Sequence, residues 1–125
     1  MLKKTKILIT GAGGYIGSCL NAYLKEKFTI YALDKNKLNP WIKVKKNKFF
    51  KCNLINFRKL KKILDTIKPD IVIHLAAQST VNSKIDKKKY YSNNVTATKN
   101  LLNAMKLSKI NNIIFSSTAA VYKNK

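Results

Sequence analysis

Short apolar runs and amphipathic stretches alternate along the chain and predict a repeated strand–helix–strand order. Ile7–Ile9 is a continuous apolar run, which is typical of a strand buried on both faces. Apolar residues then recur at helical spacing from Tyr15 to Phe28. The same patterns predict strands at 28–33, around 49–50, at 70–75 and at 113–117, and helices at 57–67 and 91–107. This alternation favours a doubly wound parallel α/β fold with about five strands and helices on both faces.

Three glycines stand where the first strand pattern changes to the first helix pattern. Gly11, Gly14 and Gly17 lie in the segment T-G-A-G-G-Y-I-G, residues 10–17. The first glycine would permit a tight turn, the second would let a pyrophosphate approach the backbone, and the third would let helix and strand pack closely. Free N–H groups at the helix start would then hold phosphates. The spacing alone also suits an ordinary glycine turn, but this context predicts a Rossmann-type dinucleotide site.

Asp34 ends the second predicted strand, close to the roughly 20-residue distance from the last glycine at which a ribose-binding acid is expected. A carboxylate there accepts hydrogen bonds from both ribose hydroxyls and repels a 2′-phosphate. We therefore expect NAD rather than NADP as cofactor, with a polar strand terminus as the alternative interpretation. Asn53 and Leu54 follow the third predicted strand at its carboxyl end, where this fold places ligands.

The chain is strongly basic, with 26 Lys and Arg against 5 Asp and Glu and a net charge of +21. Arg58 is the one arginine, whereas specific readers of nucleic acids use arginine for bidentate contacts. We interpret the lysines as solvated surface and expect weak, salt-sensitive adhesion to polyanions but no specific nucleic-acid partner. Cys19 and Cys52 are too few for a disulfide framework or metal site, so free, partly buried thiols are expected.

A single domain is expected from 125 residues. No apolar run approaches the roughly 20 residues that a membrane helix needs, and the N-terminal residues lead directly into the first strand. We therefore expect no signal peptide, no membrane partner and a cytoplasmic location. His74 closes the fourth predicted strand without a recognisable partner for general-base chemistry, so a structural role is expected for it.

Five stretches together resemble the extended short-chain dehydrogenase/reductases of the NAD-dependent epimerase/dehydratase type, and among them the UDP-glucose 4-epimerases most. The resemblance covers the whole chain but only the N-terminal third or so of the family. The matching residues are T-G-A-G-G-Y-I-G-S (10–18), Asp34, H-L-A-A (74–77), Y-Y-S-N-N-V (90–95) and F-S-S-T-A-A-V-Y (115–122).

The resemblance implies a set of cofactor contacts. Tyr15 and Ile16 would contact the pyrophosphate, and Asp34 the adenosine ribose. Asn53 stands where the family has an Asp against the adenine, and its carbonyl oxygen can still accept from the adenine amine, so weaker binding is expected there. Further contacts with the cofactor are implied for Leu75, Ala76, Ala77, Gln78, Ser79 and Asn93.

The resemblance also implies a reaction, the interconversion of UDP-glucose and UDP-galactose through a 4-keto sugar. Thr118 matches the family's catalytic Ser/Thr, whose hydroxyl would hydrogen-bond the 4-oxygen of the sugar. The family's base is the Tyr of a Tyr-x-x-x-Lys pair that follows the fifth strand by a couple of dozen residues. The 125 residues end before that pair and before the sugar-nucleotide lobe, so we expect an incomplete NAD-binding domain that is inactive by itself.

Alternatives remain open within and outside the family. A nucleotide-sugar 4,6-dehydratase also fits H-L-A-A-Q-S (74–79), but dehydratases have an Asp-Glu pair where this chain has Ala119 and Ala120. A non-catalytic NAD-binding module is the alternative from another class. The resemblance further implies a UDP-hexose as substrate of the complete enzyme and a possible homodimer through residues 91–107.

Overall fold

The computed structural model describes residues 2–78, 84 and 86–118, and these residues form one parallel sheet with helices on both faces. The strands are β1 (Lys6–Thr10), β2 (Thr29–Asp34), β3 (Phe49–Lys51), β4 (Ile71–His74) and β5 (Ile113–Phe115). The helices are α1 (Tyr15–Leu24), α2 (Phe57–Ile67), α3 (Lys87–Tyr91) and α4 (Ala97–Leu107). A 3-10 turn, Lys46–Lys48, precedes β3, and a π-helical segment, Ser92–Thr96, joins α3 to α4.

The sheet has the strand order β3-β2-β1-β4-β5 with every pairing parallel. The chain therefore leaves β1 in one direction to form β2 and β3, then returns across the sheet to form β4 and β5 on the other side of β1. This reversal beside β1 is the position at which open α/β sheets bind ligands. The doubly wound α/β fold expected from the sequence is confirmed.

The side chains of β1 alternate between two cores. Leu8 packs with residues of α2 and α4, among them Leu60, Leu64 and Leu101. Ile7 and Ile9 pack on the opposite face, where Leu20 and Leu24 of α1 lie against them. Three residues of β1, Leu8, Ile9 and Thr10, have no exposed surface. The strand is thus buried on both faces, as its continuous apolar run predicted.

The helix predicted over 15–28 forms but ends at Leu24, and its buried face differs from the predicted one. Gly17 and Asn21 are its buried residues, whereas Ile16 and Tyr23 are 57% and 74% exposed. Cys19, expected to be partly buried, is exposed, so that prediction was wrong. The physical reason is that helix α1 packs at Gly17 directly against Gly11 and Ala12 of the turn after β1, where only a glycine fits, so this side of the helix faces inward. Cys52 is free and buried, and burial raises the pKa of its thiol.

The helix predicted over 91–107 begins earlier, at Lys87, and its hydrogen-bond pattern changes within it. Asp86 caps α3 by accepting from the Lys88 N–H, with 3.0 Å between Oδ1 and N. The π-helical segment then inserts one wider turn before α4 begins. Such turns are frequent at functional sites because they redirect side chains, and this one carries Asn93 and Asn94.

Candidate functional site

The carboxyl ends of the strands meet at one edge of the sheet and bring the predicted site segments together. Thr10, the last residue of β1, is paired with Leu33 of β2 and with His74 of β4. His74 is paired in turn with Phe115 of β5. The turns that follow β1, β2, β4 and β5 therefore leave the sheet beside one another. The glycine turn, Asp34, the 75–78 loop and the residues after β5 all lie at this edge.

Gly11 is required by the fold itself. Its φ of 70° lies in the left-handed region, and a Cβ there would lie 2.7 Å from the Ala76 amide nitrogen. The turn after β1 consequently runs directly against the turn after β4. The tight turn predicted at Gly11 is present, and the structure adds that it is packed between two loops of the site.

Gly17 and Gly14 differ in what their missing side chains allow. A Cβ on Gly17 would overlap the Gly11 carbonyl oxygen and lie 2.8 Å from the Ala12 Cα, so helix α1 could not pack there. A Cβ on Gly14 would meet only the Gly11 carbonyl oxygen at 3.4 Å, an ordinary contact. The protein's own packing thus explains Gly17 but not Gly14, whose lack of a side chain leaves room for a ligand.

Helix α1 presents an uncapped N-terminus to the same edge. Its N-cap residue is Gly14, no side chain caps the first turn, and no acidic residue lies in that turn. Tyr15 and Ile16, which open the helix, are 85% and 57% exposed. The first-turn N–H groups have no partner within a helix and carry the positive end of its dipole. This arrangement is suited to binding an anionic group such as a pyrophosphate.

Asp34 is joined directly to the glycine turn. Its Oδ2 accepts from the Gly13 N–H, with 2.9 Å between the oxygen and the nitrogen, and its Oδ1 accepts from the Asn36 N–H at 2.9 Å. Each carboxylate oxygen can accept more than one hydrogen bond, so capacity remains for two hydroxyl groups of a ligand. Asp34 is half-buried. The predicted ribose-binding acid therefore lies beside the predicted phosphate-binding turn.

Asn53 and Leu54 follow β3, and their side chains have different environments. Asn53 is exposed, and its Oδ1 accepts from the Ile55 N–H within its own turn at 3.1 Å. Leu54 is 5% exposed and belongs to the core on the α2 and α4 side. Its side chain is therefore part of the packing, and a contact with a cofactor would have to involve its backbone. Asn100 of α4 holds this turn by donating to the Leu54 and Ile55 carbonyl oxygens.

The 75–78 loop after β4 is held on both sides by hydrogen bonds. At its start, the Ala76 N–H donates to Thr10 Oγ1, with 3.3 Å between nitrogen and oxygen. At its end, the Gln78 N–H donates to Asn94 Oδ1 at 2.7 Å, and Asn94 Nδ2 donates to the Gln78 carbonyl at 3.3 Å. Ala77 is exposed, while Leu75, Ala76 and Gln78 are half-buried. The loop is thus well ordered and accessible in its middle.

Asn93 carries an unpaired polar atom next to this loop. Its Nδ2 is buried and makes no hydrogen bond. A buried amide donor without a partner costs about 1–3 kcal/mol, so such a group usually indicates a missing ligand or a functional constraint. Among the described residues that the sequence predicted as cofactor contacts, Asn93 is the one with a buried side-chain donor that lacks an acceptor.

The remaining predicted residues lie at or beyond the end of β5. Thr118 is exposed and stands three residues after Phe115, at the same edge of the sheet as the other candidates. The Ser116 N–H donates to the His74 carbonyl oxygen at 3.2 Å and so extends the alignment of β5 with β4. Ser79, Ala119 and Ala120 lie outside the described residues.

Several residues of this edge were not singled out by the sequence. Gly13 binds Asp34 through its N–H, Asn94 holds Gln78, and Thr10 and Thr98 flank His74. No sequence pattern indicates that the hydroxyls of Thr10, at a strand end, and Thr98, within a helix, would bind a histidine. The adjacent pair Asn93–Asn94 was a usable signal, because two amides beside a helical run are uncommon unless their hydrogen-bonding groups are needed.

Two kinds of site are absent from the part of the chain that the structure describes. Within residues 2–78, 84 and 86–118 no group of three or more His, Cys, Asp or Glu could hold a metal ion. None of the helices among those residues is long and apolar enough to cross a bilayer. The chemistry of the candidate site is therefore that of backbone N–H groups, amides, hydroxyls and one carboxylate.

Comparison with known proteins gives consistent matches across nearly the whole chain. It is 38% identical to the UDP-glucose 4-epimerase of Mycoplasma genitalium, over 95% of this chain and 37% of the relative. It is 40% identical to the dTDP-D-glucose 4,6-dehydratase of Dictyostelium discoideum, over 94% of this chain and 30% of the relative. The chain thus spans about a third of the length of these curated relatives.

Solved structures agree with these matches. The UDP-glucose 4-epimerase of Brucella ovis in complex with NAD superimposes with a TM-score of 0.84 at 30% identity, over 94% of this chain and 37% of that one. The model of the NAD dependent epimerase/dehydratase family matches residues 7–125. The expectation from the five sequence stretches is confirmed, and the chain belongs to the NAD-dependent epimerase/dehydratase family.

Proposed function

We propose that this chain is a single NAD-binding domain serving a nucleotide-sugar 4-epimerase that acts on UDP-glucose and UDP-galactose. The observation that carries the proposal is the hydrogen bond between the Gly13 N–H and Asp34 Oδ2. It sets a ribose-binding carboxylate beside the uncapped N-terminus of α1, so that one dinucleotide could contact both. The cofactor of the family and of the solved relative from Brucella ovis supports NAD as the occupant.

The residues present fit NAD at four points. The N–H groups at Tyr15 and Ile16 would bind the pyrophosphate, with Gly14 leaving room for it. Asp34 would accept from the adenosine ribose hydroxyls and disfavour a 2′-phosphate. Asn93 Nδ2 would gain its missing acceptor from a cofactor oxygen or nitrogen beside the 75–78 loop. Asn53 and the backbone of Leu54 would contact the adenine end.

When bound, NAD would supply the oxidant that removes hydride from C4 of the sugar. Within this chain, Thr118 would touch the substrate by hydrogen-bonding the 4-oxygen from its place beyond β5.

The epimerase reaction is favoured over 4,6-dehydration by residues 119 and 120. Elimination of water needs proton-transferring groups, and alanine side chains have none. The 40% identity to a dehydratase keeps dehydration as the second candidate. Sequencing the gene beyond codon 125 separates a catalytic enzyme from a cofactor-binding module: a Tyr-x-x-x-Lys pair about one helix further on would support catalysis, whereas a stop directly after Lys125 would leave only cofactor binding.

Isothermal titration of the chain with NAD and with NADP tests cofactor binding directly. We expect saturable NAD binding, weaker NADP binding, and loss of NAD binding in Asp34→Ala. Asp65→Ala is the matched control, because Asp65 is an exposed acid on α2 with the same charge. Equal binding by the Asp34→Ala variant, or no binding by the parent chain, would overturn the proposal.

The partners and location expected from the sequence belong to the same proposal. A homodimer through residues 91–107 is supported by Tyr91, Leu102 and Leu107, which are 57%, 45% and 62% exposed on one helical stretch. A UDP-hexose would be the substrate of the complete enzyme. A cytoplasmic location, without a membrane or specific nucleic-acid partner, completes the proposal.

A further inference from the structure

His74 is a buried histidine that joins three elements of the protein. It closes β4 and is 1% exposed. Its Nδ1 lies 2.7 Å from Oγ1 of Thr10, the last residue of β1, and its Nε2 lies 2.9 Å from Oγ1 of Thr98 on α4. The ring of Phe115 on β5 stacks on it, with 5.7 Å between ring centroids. Both ring nitrogens are thus occupied by hydroxyl groups.

The direction of every hydrogen bond in this chain of groups follows from Thr98. A hydroxyl has one hydrogen to donate, and that of Thr98 goes to the Asn94 carbonyl oxygen, 2.6 Å from Oγ1. Towards His74, Thr98 Oγ1 can therefore only accept, so Nε2 must carry a hydrogen. Burial lowers the pKa of His74 and keeps the ring neutral. Nδ1 is consequently an acceptor.

Thr10 completes the chain at the other nitrogen. Because Nδ1 accepts, the Thr10 hydroxyl donates to it, and the lone pairs of Thr10 Oγ1 remain available to accept from the Ala76 N–H. Donation therefore runs from Ala76 to Thr10 to His74, and separately from His74 to Thr98 to the carbonyl of Asn94. The opposite tautomer would set the Nε2 lone pair against a lone pair of Thr98 Oγ1 and would leave the Thr10 hydroxyl without an acceptor.

Both ends of this series of hydrogen bonds hold the 75–78 loop. On the Thr10 side the Ala76 N–H is fastened directly. On the Thr98 side, the Thr98 hydroxyl donates to the backbone carbonyl of Asn94 in the π-helical segment. The Asn94 side chain in turn accepts from the Gln78 N–H and donates to the Gln78 carbonyl oxygen. Leu75, between His74 and Ala76, is held by its own N–H donating to the Thr10 carbonyl at 3.2 Å.

We infer that His74 is a positioning residue, held as the neutral Nε2–H tautomer, that fixes the 75–78 loop through Thr10 on one side and through Thr98 and Asn94 on the other. This role rests on the proposed function to the extent that the loop lines the cofactor. The tautomer and the ordering of the loop do not depend on it. Both can therefore be tested without any ligand.

The first test is the 15N spectrum of the full chain labelled at its imidazole nitrogens. His74 is the single histidine, so one pair of signals is expected without assignment ambiguity. We expect Nδ1 at the shift of an unprotonated nitrogen and Nε2 at that of a protonated one at neutral pH. A protonated Nδ1, whether as the other tautomer or as imidazolium, would overturn the inference.

Three substitutions separate positioning from packing. His74→Asn keeps an acceptor near Nδ1, His74→Gln keeps a donor near Nε2, and His74→Leu keeps neither. We expect His74→Leu to speed amide exchange at Ala76 and Gln78 and to weaken NAD binding about three- to tenfold. The Asn variant should restore protection at Ala76 and the Gln variant protection at Gln78, each with intermediate NAD affinity.

Val72→Ala is the matched control, because it removes buried volume from the same strand without removing any of the hydrogen bonds that hold the loop. It should lower stability and leave the NAD dissociation constant unchanged. If the Asn and Gln variants behave like the Leu variant in both exchange and affinity, His74 only fills space and the inference fails. If the parent chain binds no NAD, the proposed function fails, while the tautomer and exchange results still decide the role of His74.

Discussion

The Gly13 N–H donates to Asp34 Oδ2 with 2.9 Å between nitrogen and oxygen, and this bond joins the two halves of the candidate cofactor site. Gly13 belongs to the turn after β1, and Asp34 ends β2. A Cβ on Gly13 would lie 3.0 Å from the same carboxylate oxygen, so the backbone at Gly13 lies directly against the Asp34 side chain. The carboxylate therefore shapes the turn, in addition to making the ribose contact that we propose for it.

Replacing Asp34 should affect both stability and cofactor choice. Asp34→Ala leaves the Gly13 and Asn36 N–H groups without acceptors, and we expect a loss of about 1–3 kcal/mol in the free energy of unfolding. Asp34→Asn keeps one acceptor oxygen and should lose less. Its neutral side chain should also narrow the preference for NAD over NADP. Urea denaturation and titration with both nucleotides measure these effects, and an unchanged preference would contradict the ribose role.

Replacing Gly11 or Gly14 with alanine should have different effects on stability and on NAD binding. Gly11→Ala meets a φ of 70° and a 2.7 Å approach to Ala76 N, so we expect at least about 2 kcal/mol of destabilisation. Gly14→Ala has only an ordinary 3.4 Å contact and should change stability by less than about 0.5 kcal/mol. NAD binding should nevertheless fall in Gly14→Ala, because the added methyl group occupies the space for the pyrophosphate. Thermal denaturation alongside calorimetric titration distinguishes the two roles.

The features that could be predicted from the sequence are those set by local steric or periodic rules. β1 is a continuous apolar run and is buried on both faces. Gly11 and Gly17 are glycines because no side chain fits, which a strand–turn–helix pattern implies directly. Asp34 stands at the end of its strand at the distance expected from the glycines. Gly17 meets Gly11 and Ala12 of its own turn, so local sequence decides that position, whereas the approach of Ala76 to Gly11 is a contact that only the fold brings about.

The features that could not be predicted depend on residues distant in sequence. His74 obtains its hydrogen bonds from Thr10 and Thr98, which are 64 and 24 positions away. The inward face of α1 is made by Gly17, Leu20, Asn21 and Leu24, whereas Ile16, Cys19 and Tyr23 are exposed, because the close approach of Gly17 to the turn after β1 decides which side faces the core. The π-helical segment has no signal in helical periodicity. The hydrogen bonds from Asn94 in this segment to Gln78 likewise join residues that are 16 positions apart.

The lysine-rich surface should adhere to polyanions through charge alone. With a net charge of +21, we expect the chain to bind DNA of any sequence at low salt. If six or more phosphates are contacted, affinity should fall on the order of a thousandfold between about 50 and 200 mM salt. Fluorescence anisotropy with two unrelated duplexes measures this. A sequence preference, or affinity that persists at high salt, would show that the lysines form a specific site.

The neutral state of His74 predicts a stability loss on acidification. Burial lowers its pKa in the folded chain below the ordinary value of 6.5, so between the two pKa values the unfolded chain binds a proton that the folded chain does not. The contribution is complete above the unfolded pKa and is lost as the pH falls below about 6.5. Its slope is at most about 1.4 kcal/mol per pH unit.

Urea denaturation of the parent chain and of His74→Gln over about pH 5 to 8 isolates this contribution. The ring contacts Thr10, Thr98 and Phe115, which carry no charge, so the difference between the two curves reports His74 itself. The parent should lose stability relative to the variant as the pH falls. Parallel curves would mean that the imidazole has the same pKa in the folded and unfolded chains.

Asn93 and Asn94 are adjacent in sequence, but their substitution should have different consequences. The buried Nδ2 of Asn93 has no partner, so Asn93→Leu removes an unpaired donor and should leave stability equal or raise it by up to about 1–3 kcal/mol. The same change should weaken NAD binding, because the ligand loses a donor placed for it. Asn94→Leu breaks both hydrogen bonds to Gln78 and should lower stability and affinity together. Denaturation and NAD titration of the two variants form a matched pair, and a stability loss in Asn93→Leu with NAD affinity unchanged would assign Asn93 to the fold rather than to the cofactor.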